Sequence, residues 1–345
     1  MDLHELKRIL QDRFTDGLLT IIGSGLSASM GLPTMWALGE YLRKHMPGRV
    51  SDEAAAEWAV VESRLASGTD LEGAVKDIEA NGSVLPEVVA LTAELVAAAE
   101  SEAIQSVLAN ERDFALRRLL RHLLLRGRSD VVTTNYDRLI EFAAETSGIG
   151  VDTGFTGSCF GNFAPEQTRN AFSAFVGGKK GTIKRIVREH LVVHKPHGSI
   201  DWYLLDNKPV RSIIPLRSGR LMITPGTSKY RLGYEAPFDY HRATANRAID
   251  SAAAYLIIGY GFNDDQLETH LRPQLATGKP CLILTKELTP SAQQVVSQHP
   301  SVLALTSYEE KDGQSGTQCE WKSNVTRYAH HRLWNLSDFL REVLE

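Results

Sequence analysis

Cysteine is scarce in this chain. Its 345 residues hold three, Cys159, Cys281 and Cys319, widely separated and without a C-x-x-C pair. That pattern excludes a disulfide framework and fits a reducing cytoplasm. It also leaves too few thiolates for a four-cysteine zinc site, and no metal is expected. No apolar run is long enough to span a membrane, and residues 1–14 are amphipathic and charged, unlike a signal peptide. Charge of one sign is lacking too. Lys and Arg number 38 against 42 Asp and Glu, a formal net charge of −4, so the chain has no global nucleic-acid footprint and direct nucleic-acid binding is not expected. The local cluster Arg112, Arg117, Arg118, Arg121, Arg126 and Arg128 reads as a solvated or subunit-facing surface. No group of carboxylates has the spacing of a metal-dependent nuclease site.

What is present is ordinary globular material, 43% hydrophobic and 23% charged, organised around residues 18–36. The apolar run LLTII reads as a buried parallel strand. It breaks into Gly23-Ser24-Gly25, then Ser27-Ala28-Ser29, then Gly31-Leu32-Pro33. Glycines directly after a strand let the backbone approach a ligand closely. A helix starting near Ser27 would aim free N–H groups and its positive end at a phosphate. The G-x-G-x-x-G spacing is only half met, and a tight structural turn accounts for the glycines equally well.

The apolar periodicity predicts helices at 2–15, 36–46, 52–67, 70–80, 85–109 and 112–126, the last five forming an alanine- and leucine-rich module. Extended segments follow at 130–134, 191–194, 202–205, 212–215, 221–224, 254–259, 280–284 and 302–305, with helices at 137–146, 238–253, 264–276, 290–298 and 336–344. Strands alternating with helices predict a doubly wound parallel sheet. Residues 154–181 and 312–317 read as loops. The expected division is 1–35 with 127–310 as the sheet domain, 36–126 as a helical insertion, and 311–345 as a tail with a terminal helix.

Four polar clusters stand after predicted strands. They are the glycine turn, Thr133-Thr134-Asn135-Tyr136-Asp137, His194-Lys195-Pro196-His197-Gly198-Ser199, and Gly259-Tyr260-Gly261-Phe262-Asn263-Asp264-Asp265. Ligands of doubly wound sheets sit at the carboxyl ends of the strands, so these clusters are expected to share one crevice. Each also has a plainer role. Asn135 could cap the helix that follows it, Asp264 and Asp265 could be acidic residues at a helix start, and His194 reads as structural.

Taken in order, the clusters resemble the motifs of the sirtuin-like superfamily of NAD-consuming proteins. The G-A-G-x-S-x-x-x-G-I-P element of sirtuins stands here as Gly23-Ser24-Gly25-Leu26-Ser27 through Gly31-Leu32-Pro33. T-Q-N-x-D stands as Thr133-Thr134-Asn135-Tyr136-Asp137, H-G as His197-Gly198, and the late G-T-S turn as Gly259-Tyr260-Gly261. The IGYGFND form is similar to the divergent bacterial branch found in antiphage defence. Thr34-Met35-Trp36 replaces the D-F-R of sirtuin deacylases, their late ribose-binding Asn is replaced near Thr285-Lys286, and their zinc cysteines are missing. These departures count against acyl-lysine peptide binding.

The resemblance implies an α/β, Rossmann-like doubly wound sheet with an inserted helical module, and NAD as substrate. It implies an NAD glycohydrolase that depletes NAD as the effector of a bacterial antiphage defence system. Asn135 would hold the nicotinamide ribose and the attacking water, and His197 would be the general base, a role suited to imidazole near neutral pH. Gly25 and Ser27 would contact the pyrophosphate through backbone and hydroxyl groups, with Gly23, Ser24 and Pro33 also cofactor-binding, Asp137 would meet the nicotinamide carboxamide, and Gly259, Gly261 and Asp264 would line the adenosine side. Met35, Trp36 and Phe262 would exclude water from an oxocarbenium-like transition state. Control is expected from homo-oligomerisation or from a partner such as a HerA-type ATPase or an Argonaute-like protein. An NAD-dependent protein deacylase and a non-catalytic NAD- or ADP-ribose-binding module are the alternatives. Hydrolysis and cyclisation of NAD share their first step and are not separated by these residues.

Overall fold

The computed structural model describes residues 1–76, 78, 82, 84–124, 127–177, 183–224, 235–310 and 313–345. Its centre is a nine-stranded sheet made of β1 (Leu18–Ile22), β2 (Arg128–Thr133), β3 (Gly150–Asp152), β4 (His190–His194), β5 (Ala254–Ile258), β6 (Cys281–Leu284), β7 (Val302–Glu309), β8 (Ser315–Trp321) and β9 (Asn324–Ala329). The strands lie in the order β9-β8-β7-β6-β5-β1-β2-β4-β3. From β7 to β3 all neighbours pair in parallel. The chain builds outward from β1 to β2 on one side and later from β5 to β6 and β7 on the other. The strand order therefore reverses between β1 and β5, the position at which such sheets open a crevice.

Helices cover both faces, which is why β5 and β6 are buried along their whole length. One face packs Ile22, Val131, Val193 and Ile258 with Leu139, Ile140 and the C-terminal Phe339. The other packs Leu19, Ile21, Ile257 and Ile283 with Ala245, Leu267, Leu271 and Val295. The fold is the expected α/β, Rossmann-like one.

The helices Met35–His45, Asp52–Ala66, Leu71–Ala74 and Val84–Leu108 close around a separate core that includes Leu38, Leu42, Trp58, Val61, Val88 and Leu91. Ala115–Leu123, expected as part of the same module, instead buries Leu116, Leu119 and Leu120 in the main core. Residues 77, 79–81 and 83, including part of the helix expected at 70–80, lie outside the described residues, as do 125–126 with Arg126.

Three segments differ from expectation. Residues 154–177, read as loop, contain the strand Phe160–Asn162, the helix Pro165–Ala171 and the strand Ser173–Gly177, which pairs with Ile183–Val187; residues 178–182, with the rest of the GGKKG run, lie outside the described residues. Residues 315–329, read as tail, form β8 and β9, an antiparallel hairpin that extends the sheet past β7. Its turn, Lys322-Ser323, holds φ +51 and +62 without the usual Asn-Gly signal; of the loop expected just before it, Asp312 lies outside the described residues. Finally, Gly198–Leu205, Lys208–Ser212, Arg220–Met222 and Phe160–Asn162 make a second, antiparallel sheet, which ends before 213–215.

Candidate functional site

The adjacent strands β5, β1, β2 and β4 are each followed by one of the four polar clusters, and the clusters form a closed ring of contacts. After β2, Asn135 reaches to the glycine turn. Its Nδ2 donates to Gly23 O at 3.0 Å and to Ser27 Oγ at 2.8 Å. Tyr136 O accepts from Ser199 Oγ at 3.2 Å and from the Ile200 N–H at 3.1 Å, joining the β2 cluster to the one after β4. In that segment His197 Nε2 stands 2.6 Å from Asp264 Oδ2, in the loop after β5. The N–H groups of Gly23 and Gly25 donate to Ile258 O and Gly259 O, each at 2.9 Å, and close the ring.

Glycine is required where two of these loops touch. A Cβ on Gly23 would lie 2.4 Å from Gly259 O, and one on Gly259 would lie 2.5 Å from Leu26 N. Gly259 also holds φ +59, a left-handed conformation that costs other residues energy. Backbone-to-backbone packing thus uses the Gly25 N–H that was expected to face a phosphate. The helix that starts here, Ser24–Ser29, is six residues long and begins earlier than expected. Ser24 is exposed and Pro33 half-buried at its two sides, while Ser27 is buried.

Ser27 Oγ donates to Asp137 Oδ2 at 2.6 Å, while Asp137 Oδ1 accepts the Leu139 N–H at 3.2 Å. Asp137, not Asn135, therefore satisfies the first turn of the helix Leu139–Glu145, and the Asn135 amide is left for contacts across the crevice. Asp264 has two functions at once. Its Oδ1 caps the helix Asp265–Ala276 through the N–H groups of Gln266 and Leu267, at 3.0 and 3.1 Å, and its Oδ2 faces His197. The adenosine-side expectation for Asp264 did not include this imidazole–carboxylate pair. His194 is held at both ring nitrogens, by Asp130 Oδ1 at 2.8 Å and Thr244 Oγ1 at 2.9 Å, as a structural residue would be.

Two expected pocket residues stand elsewhere. Thr34 Oγ1 accepts the Ala37 N–H and caps the helix Met35–His45. Met35 and Trp36 fall in its first turn and are 42% and 78% exposed, so neither encloses the crevice. Phe262 is buried in the main domain's core with φ +57, a strained conformation for an aromatic residue, next to Gly261, whose carbonyl accepts Thr289 Oγ1.

Behind the ring lies an ionic network that the sequence did not disclose. Lys195 is fully buried and its Nζ donates to Asp137 O and to Glu141 Oε1. Glu100, on the insertion's longest helix, accepts both the backbone N–H and the guanidinium of Arg138, with Nε at 3.0 Å. Burial pushes the Glu100 carboxyl up, against the lowering effect of Arg138. Such pairs cost desolvation, so geometry is what they supply. Lys195 sits inside a flagged cluster, whereas Glu100 in AAAESEA carries no signal distinguishing it from a solvated charge.

Residues 129–295 match the family model of the SIR2-like domain. That stretch, similar to a SIR2-like domain, holds Asn135, Asp137, His197, Gly259, Gly261 and Asp264. No curated protein matches the chain. Similar solved structures include one titled for the mechanism and regulation of Sir2 enzymes, at 14% identity and TM-score 0.41, covering 86% of this chain and 90% of that one. A Sir2-homologue triple mutant with 2′-O-acetyl-ADP-ribose aligns at 14% identity and TM-score 0.41, covering 85% and 88%. A structure on sirtuin substrate affinity aligns at 15% identity and TM-score 0.40, covering 86% and 99%.

Proposed function

We propose that the chain is an NAD glycohydrolase, converting NAD⁺ and water to ADP-ribose, nicotinamide and a proton. The SIR2-like domain supports an NAD-related function. The observation that carries the finer reading is the ring itself, in which Asn135 is fastened to the glycine turn and His197 is paired with Asp264 at the ends of four neighbouring strands. Breaking the bond between nicotinamide and the ribose C1′ leaves an oxocarbenium-like centre. Asn135 places the ribose and a water against it. Asp264 fixes His197 Nε2, leaving Nδ1 to take the proton as the water oxygen bonds to C1′. Ser27 and Asp137 hold the Asn135 loop in register. We further propose that the enzyme is the NAD-depleting effector of an antiphage defence system, held off by self-assembly or a partner protein. The motif order and the missing zinc cysteines support that branch by analogy.

The test is NAD turnover by the purified chain, alone and with a co-expressed neighbouring protein, followed as nicotinamide and ADP-ribose. Wild type should turn over NAD in at least one state, while Asn135→Ala and His197→Ala lose about 10²–10⁴-fold, the usual worth of a positioned acid–base group. Asp264→Asn should lose less and shift the pH profile. Absence of turnover in both states overturns the reading. An O-acyl-ADP-ribose product from an acyl-lysine peptide would replace it with deacylation.

A further inference from the structure

A cavity of about 730 Å³ opens along the helix Leu139–Glu145, lined by its cap residue Arg138 and by Glu141, Phe142 and Glu145. None of Gly23, Ser27, Asn135, His197 or Asp264 lines it. Its volume is in the range of small-molecule sites. Phe155 and Phe172 add two more rings to its wall, and Arg211 a second guanidinium.

The charges around it are unevenly satisfied. Arg138 is paired with Glu100, which is 1% exposed, and Arg211 Nε donates to Asp201 Oδ2 at 2.7 Å. Each arginine thus has a buried carboxylate behind it, and Glu141 and Glu145 act on Arg211 as well. Glu141 gives one oxygen to Lys195, but its Oε2 is buried with no hydrogen-bond partner among the described residues. One turn on, Glu145 is exposed and has no ion pair among the described residues. Counting the buried partners, three cations face four carboxylates. A buried acceptor without a donor is costly, and a donor entering here would also meet an unpaired carboxylate and three aromatic rings, surroundings that attract cations.

We infer that this cavity binds a small organic cation, an alkylammonium or guanidinium on an apolar stem. The cationic head donates to Glu141 Oε2 and is balanced by Glu145, and the stem lies among Phe142, Phe155 and Phe172. The head group could arrive on a free polyamine or on a basic side chain, and the chemistry of the cavity is the same for both. The inference does not depend on NAD turnover.

The experiment is calorimetric titration of the purified full chain, without NAD, with spermidine and with acetyl-arginine amide. Saturable binding of a cation is expected, weakened about tenfold by Glu145→Gln, the order of loss expected when an opposite charge a few ångströms away is removed. Glu145→Lys, which sets a fixed ammonium at the mouth, should abolish it, and Asn135→Ala should leave it intact. Glu145 is exposed, so these variants should fold, checked by circular dichroism. Preference for spermidine identifies a free polyamine, and preference for acetyl-arginine amide a side chain of another protein; both support the site. Failure of both cations to bind, or indifference of their binding to both Glu145 substitutions, would each overturn it.

Discussion

The sheet and the inserted helices are two hydrophobic cores with different work to do. In the sheet, strands buried on both faces fix the spacing of four loops, and every contact in the ring follows from that spacing. The insertion buries Leu38, Leu42, Trp58, Val61 and Leu91 against one another and reaches the ring through Glu100 on Arg138. The site is therefore a property of backbone geometry between neighbouring strands. The helical module meets it through this buried ionic contact and through Ala93, Val96, Ala103 and Val107 in the main core, while its own core lies apart, so damage to the two cores should have different consequences.

Gly259→Ala strikes the sheet side hardest. With a Cβ 2.5 Å from Leu26 N and φ +59, the variant should lose about 3 kcal/mol or more of stability. NAD turnover should disappear with it, read by urea unfolding and nicotinamide release. Trp58→Ala, in the other core, should cost about 3–5 kcal/mol yet leave turnover per folded molecule within about twofold, because distant sites act independently. Equal loss of turnover in both variants would erase the distinction between the two regions.

Glu100→Gln weakens the ionic part of the link between them. It removes the charge opposite Arg138 and should raise KM for NAD about tenfold with a smaller change in kcat, the signature of a residue that positions the Asp137 loop without touching the reacting atoms. Unchanged KM would show that the module does not bias the site.

The smallest effect is expected from Glu268, beside the last cluster. Burial raises its carboxyl to about 7, against the lowering by Arg272 and by the Tyr260 hydroxyl, which donates to Oε1 at 3.1 Å. The folded state therefore holds this proton more tightly than the unfolded chain. The stabilisation is full below the unfolded value near 4.5 and is lost as pH rises through about 7. Wild type should lose about 1 kcal/mol between roughly pH 6 and pH 8 from this group, and Glu268→Gln should flatten that slope in urea titrations.

Much of the architecture is legible in the amino-acid order because it rests on periodicity. AYLII and CLIL announce strands buried on both faces, and the apolar spacing of 85–109 announces the long helix observed at Val84–Leu108. What escaped has local causes. The β8–β9 hairpin turns on Lys322-Ser323, residues that do not advertise positive φ, and the strands within 154–177 are too short to show a period. At the candidate site, Asn135, His197 and Asp264 were visible as polar residues after apolar runs. Their partners were not, since a contact between residues far apart in the chain leaves no mark on either segment.

By itself the sequence determined most strands and helices of the main sheet and the residue types at the strand ends, because local propensity and burial pattern are written in consecutive residues. Only the tertiary structure decided that Gly23 and Gly259 touch backbone to backbone, that Asp264 faces His197, and that Lys195 is fully buried beneath Asp137. Charge and exposure are properties of a residue's neighbours in space. A lysine or glutamate reads as solvated until the sheet and the inserted helix close around it.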